Sequence, residues 1–129
     1  MAKVYKTETR VRYAETDAAG IVYYANFLIY FEVGRIEMFR ELDLPYDLRL
    51  PIVETHCEFK KPVFFGDMLE IHTTVPEIME KGFKIANKIY KKEDDELVLV
   101  AEGYTTMLTA DENRKVCKVP QIFIDKFGQ

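Results

Sequence analysis

Residues 3–14 alternate, with Val4, Lys6, Glu8 and Arg10 set against Tyr5, Thr7, Thr9, Val11 and Tyr13. That period of two, rich in β-formers, predicts a strand. The alternation stops at residues 15–22, where Asp17-Ala18-Ala19-Gly20 reads as a turn. Over residues 23–42 the period becomes helical: Phe27, Tyr30, Phe31, Gly34, Met38 and Leu42 recur on one face, and Leu28, Ile29, Ile36 and Phe39 widen it. An apolar cover this wide predicts a helix largely buried, with Glu32, Arg35, Glu37, Arg40 and Glu41 confined to its ends or one narrow wet edge. Asp43-Leu44-Pro45 ends it, because Pro45 disfavours helix in the residue before it.

Beyond the helix the pattern predicts strands near residues 51–61, 67–77, 82–92, 97–110 and 114–119. They are separated by turn formers at Gly66-Asp67, Lys81-Gly82, Asp94-Asp95 and Asp111-Glu112-Asn113. Short turns between neighbouring strands imply an antiparallel meander. Residues 120–127 predict one or two helical turns. One long helix and one sheet must bury each other's apolar faces, so the fold class is α+β in two layers, with about five to six strands. A sheet covers one side of a helix only. The second apolar flank and the run Leu97-Val98-Leu99-Val100-Ala101 therefore predict a homo-oligomer, with sheets paired edge to edge.

At 129 residues, with no linker, repeat or low-complexity stretch, the chain reads as one domain over residues 1–129. Hydrophobic residues make up 48%, including nine Phe and eight Tyr, enough for a packed interior. A net charge of -4 argues against a nucleic-acid partner. Two Cys without close spacing, an N-terminus lacking an apolar run and the absence of a membrane-length apolar stretch point to the cytoplasm.

The stretch that promises chemistry runs from Arg12 to Phe27: a strand ends, a loop presents a carboxylate, and a helix begins. Helix starts offer unpaired N–H groups and a positive dipole end, which suit an oxygen that becomes anionic in acyl transfer. A carboxylate beside them can attack a carbonyl or activate water. On these residues alone, an Asp17 that caps the helix or forms a turn is the commoner outcome. Glu15, two residues earlier, is a rival carboxylate read as structural or as a secondary polar contact. Neighbours on a strand point to opposite faces, so His56 and Cys57 cannot form a dyad with each other. With His72 and Cys117 they show no metal-ligand spacing, so no metal is expected. Lys84, Lys88 and Lys92 share one strand face, read singly as a solvated outer face.

The segment Asp17 to Phe27, D-A-A-G-I-V-Y-Y-A-N-F, resembles the signature of the 4-hydroxybenzoyl-CoA thioesterase family. The likeness extends through Leu42-Asp43-Leu44-Pro45, Pro51-Ile52-Val53, Phe59-Lys60-Lys61-Pro62-Val63 on to Ile71, and Val116 to Pro120. The resemblance implies a hot-dog fold, a long central helix wrapped by an antiparallel sheet. It also implies dimers that often pair into homotetramers with sites between subunits, and hydrolysis of acyl-CoA with no cofactor beyond the substrate's own coenzyme A. Carried over, Asp17 is the catalytic carboxylate and the Tyr24 amide polarises the thioester carbonyl. Gly20, Ile21, Val22, Tyr23 and Asn26 then flank the acyl group, and Lys60, Lys61, Lys81 and Lys84 are the candidates for CoA phosphates. In residues 79–81, where one branch of the family carries a basic cluster, this chain keeps only Lys81. Two alternatives use the same pocket: a non-catalytic acyl-CoA sensor, and a thioesterase acting on an acyl carrier protein.

Overall fold

The computed structural model describes residues 3–45 and 50–128. In chain order the elements are β1 (Tyr5–Arg10), α1 (Asn26–Glu41), β2 (Ile52–Phe59), β3 (Met68–Ile78), β4 (Gly82–Glu93), β5 (Glu96–Leu108) and α2 (Gln121–Phe127). A short 3-10 turn, Tyr13–Glu15, follows β1. The strands form one five-stranded sheet in the order β1-β3-β4-β5-β2, antiparallel throughout. The expected α+β class therefore holds, with two corrections. Only β3, β4 and β5 make a meander, since β2 crosses the sheet to pair with β5 and leaves β3 to β1. The expected strand at 114–119 is a single bridge between Ala110 and Val116, because Asp111 draws the chain into a tight turn through Lys115 and Arg114.

Alternation puts Leu69, Ile71 and Thr73 of β3, Ile85, Asn87 and Ile89 of β4, and Ala101 and Thr105 of β5 on the buried face beneath α1. The helix packs chiefly on β1, β3 and β4. It lies close because of Gly34: a Cβ there would stand 2.5 Å from Thr73 Oγ1 and 2.7 Å from Ile71 Cγ2. Below the helix, Asn87 Nδ2 donates to Thr73 Oγ1 at 2.8 Å. A bulge at Ile89/Tyr90 places both Val100 and Ala101 inside and turns the Val100 carbonyl towards the N–H groups of Lys60 and Lys61. Only part of the 97–101 run is therefore buried in one chain, and Leu97 stays exposed.

The helix starts three residues later than the pattern predicts. Its end is a Schellman motif: Leu44 N–H bonds to Phe39 O at 2.9 Å, Asp43 N–H to Arg40 O at 3.2 Å, and Asp43 takes φ 55°. Arg35 corrects the expected wet edge, for it is 7% exposed in mid-helix, its guanidinium 3.9 Å from Glu32. Burial pulls its pKa down, and the Glu32 charge opposes that. At the far end of α1, Phe39, Phe83, Phe123 and Phe127 pack ring to ring, so α2 closes that end of the sheet.

Candidate active site

Asp17 does not cap the helix. The cap position is Ala25, which has no side chain to do so, and Asp17 lies in a tight turn ahead of it. Its Oδ1 accepts Ala19 N–H at 2.8 Å, its carbonyl accepts Gly20 N–H at 3.0 Å, and its amide donates to Ile21 O at 2.8 Å. Gly20 closes the turn at φ 85°, a conformation glycine adopts without strain. The Thr16–Val22 bridge joins the two arms of this small hairpin, and its second arm is pinned: Ile21 bridges Phe64, and Val22 N–H bonds to Val63 O at 2.8 Å. The carboxylate of Asp17 is exposed. Its charge reaches the Tyr23 hydroxyl, whose pKa is raised first by its bond to Tyr24 and in smaller part by Asp17.

The free amides of the helix entrance lie one turn earlier than usual. Asn26, Phe27 and Leu28, normally the unpaired donors of a first turn, give their N–H groups to the carbonyls of Tyr23, Tyr24 and Ala25 at 2.8, 3.2 and 3.1 Å. Among the described residues, the Tyr24 and Ala25 N–H groups have no backbone or side-chain acceptor. The free donors therefore sit in the turn just before α1.

Beside that turn opens a mostly apolar cleft of about 290 Å³. Ile21, Val22, Tyr24 and Phe27 form one wall, and Phe59 through Val63 the other. Tyr24, Phe59 and Phe27 meet edge to face, with centroids 6.0 and 5.3 Å apart. The structure thus brings together five of the expected site residues: Ile21, Val22, Tyr24, Lys60 and Lys61. Lys60 also pairs with Glu102 at 3.4 Å. Asn26 is turned away, donating Nδ2–H to Glu15 O at 2.8 Å. Lys81 and Lys84 lie elsewhere. Lys84 pairs with Thr106, five steps along β5 from the Ala101 that faces Phe59, roughly 17 Å away. Its ammonium sits 4.4 Å from the Tyr104 ring.

Phe59, Pro62 and Val63 also line the cleft and are not among the expected site residues. Their signal was the run Phe59-Lys60-Lys61-Pro62-Val63 leading out of β2, one of the stretches that carry the family likeness. Glu15 is structural, and more heavily used than expected. Its Oε1 accepts Arg12 N–H at 2.9 Å and the Tyr30 hydroxyl at 2.8 Å, and its Oε2 accepts Arg12 Nε–H at 2.8 Å. Burial pushes this carboxyl up, yet the three bonds together hold it below the usual value of 4.5. His56 and Cys57 point to opposite faces as expected. His56 stacks on Tyr104, and burial, then the Glu58 charge, pushes the Cys57 thiol up to about 11. Lys92 holds Glu8 and Glu70 on the sheet's outer face. No helix among the described residues is long and apolar enough to cross a membrane.

A family model described as the thioesterase-like superfamily matches residues 11–127. A putative esterase of Aquifex aeolicus is 31% identical over 118 residues, covering 87% of this chain and 88% of that protein. A 1,4-dihydroxy-2-naphthoyl-CoA hydrolase of Microcystis aeruginosa is 32% identical over 124 residues, covering 88% of this chain and 78% of that one. The solved structure of 4-hydroxybenzoyl-CoA thioesterase from a Pseudomonas strain superposes with a TM-score of 0.86 at 22% identity, covering 97% of this chain and 99% of its own. At that identity the structural likeness speaks for the fold, and the fold is the one the resemblance implies.

Proposed function

The chain belongs to the thioesterase-like superfamily, and from that membership we propose that it hydrolyses acyl-CoA thioesters with Asp17 as the catalytic carboxylate. The observation that carries the reading is the cleft, which joins the helix entrance at Tyr24 to Lys60 and Lys61. The Microcystis aeruginosa relative, described as a hydrolase of a CoA thioester, supplies the substrate class.

In the reaction water adds across the C–S bond, and free acid and CoA thiol leave. The acyl group enters the apolar cleft, while Lys60 or Lys61 meets phosphate as a point charge. The thioester oxygen gains negative charge as its carbon becomes tetrahedral, and the unengaged Tyr24 N–H stabilises it. Asp17 either takes a proton from the attacking water or attacks the carbonyl itself, leaving an anhydride that water opens. Single turnover in heavy-oxygen water identifies the anhydride route when solvent oxygen enters the Asp17 carboxylate, which requires water to open the anhydride at the Asp17 carbonyl. The site works in a homo-oligomer. Support comes from β2, an edge strand with an unpaired side and exposed Ile52, Val53 and Phe59, and from the bare Leu28 and Ile29 of α1. Lys81 and Lys84, remote from the cleft in one chain, then serve a second copy's substrate. Sedimentation should give a dimer or tetramer, and a monomer at assay concentration would remove this part of the proposal.

The test is thiol release from a panel of short, long and aryl acyl-CoAs by wild type and Asp17→Asn. Wild type should turn over at least one member, and Asp17→Asn should lose roughly 100-fold or more in kcat while keeping its Tm. Near-normal turnover by the variant would end the assignment of Asp17.

A further inference from the structure

We infer that Glu15 is a positioning residue, whose ionised side chain and backbone carbonyl together set the Asp17 hairpin against the helix entrance. The inference deepens the hydrolase reading for its kinetic consequence, but its structural consequence stands without it.

Glu15 is 7% exposed and sits two residues before Asp17. Its carboxylate takes three donors, from Arg12 twice and from Tyr30. Its carbonyl takes two more, Tyr23 N–H at 3.0 Å and Asn26 Nδ2–H at 2.8 Å. Tyr23 precedes the Tyr24 amide, Asn26 opens α1, and Tyr30 is one turn further on, 1% exposed. One residue thus ties the loop that carries the carboxylate to both the turn and the helix that carry the free amide.

The other ties of the hairpin run elsewhere. Ile21 and Val22 bond to Phe64 and Val63, fixing the hairpin to the segment before β3 and not to α1. Without the Glu15 side-chain bonds the hairpin stays folded on that segment, while the Glu15 carbonyl is held less firmly against Tyr23 N–H and Asn26 Nδ2–H. The role also requires a carboxylate. Tyr30 O–H, Arg12 N–H and Arg12 Nε–H all donate, and an acceptor-only group can meet all three. The amide of Gln would turn an N–H towards one of these donors. Arg12 keeps the nearby charge neutralised, so Glu15 does not oppose the oxyanion that Tyr24 would hold.

The experiment compares wild type, Glu15→Gln, Tyr30→Phe and the double variant by two readouts. The first is residue-resolved amide exchange. Glu15→Gln should speed exchange at Tyr23 roughly tenfold while the β3–β4–β5 meander keeps its protection. The second is kinetic: kcat on the best acyl-CoA should fall roughly tenfold with KM nearly unmoved, because misplacement costs the transition state and not binding. Tyr30→Phe should move both readouts the same way by less, and the double variant should match Glu15→Gln alone. Unchanged exchange at Tyr23, or exchange that rises evenly across the sheet, overturns the inference; so does an additive double variant. If Glu15→Gln fails to fold, Tyr30→Phe decides by the same two measures. If wild type cleaves no acyl-CoA, exchange still decides the inference and the hydrolase reading fails alone.

Discussion

The two ends of α1 are both surrounded by aromatic rings, and they differ in whether anything covers them. At the C-terminal end Phe39, Phe83, Phe123 and Phe127 form one cluster, with Phe83 and Phe123 fully buried. At the N-terminal end Tyr24 and Phe59 remain 61% and 50% exposed. The residue types are alike. The difference is α2, which delivers Phe123 and Phe127 to one end and has no counterpart at the other among the described residues. Covered rings make core, whereas uncovered rings beside two free amides and two lysines make a cleft. Aromatic content alone therefore says little about function, and the missing cover says more.

Breaking the covered end should have the largest effect. Phe123→Ala should cost about 3–5 kcal/mol in denaturant melts, the range for deleting a buried aromatic. A loss below about 1 kcal/mol would mean that α2 is only lightly docked. Next comes the seam between the ends. Gly34→Ala drives a methyl into Thr73 and Ile71, neither of which can retreat from the packed sheet, so about 1–3 kcal/mol should be lost. A neutral or stabilising result would show that the helix can lift.

The open end should answer to pH through Glu15. Its folded pKa lies below 4.5, so its contribution is fully present above that value and is lost as the pH falls below it. The stability gap between wild type and Glu15→Gln should be constant near neutrality and shrink on acidification. A gap that widens in acid would reverse the sign. The smallest effect belongs to the uncovered rim. Phe59→Ala removes a ring that is 50% exposed, so stability should change by about 1 kcal/mol or less while KM for acyl-CoA rises. An unchanged KM on every acyl-CoA cleaved would take Phe59 out of the cleft's work.

The elements were legible where one period ran long enough to be unambiguous. β1, α1 and the β3–β4–β5 meander follow from alternation, helical recurrence and turn residues close together in sequence. Residues 114–119 misled because short alternation cannot tell a strand from a looped segment with a single bridge. Neither the crossing of β2 to β5 nor the burial of Arg35 is local information, for each depends on which neighbour the remaining sheet leaves free.

The site divides in the same way. The Asp17–Asn26 segment stands out in the sequence because turn, glycine and helix start are contiguous there, and its likeness to a family added the chemistry. That Lys60 and Lys61 join it while Lys81 and Lys84 do not was decided by strand pairing over a sheet. The roles of Glu15 and Asn26 were likewise decided in three dimensions. An acid and an amide acquire a function from the donors and acceptors that folding brings within 3 Å, and for Tyr30 and Glu15 those partners come from different turns of the chain.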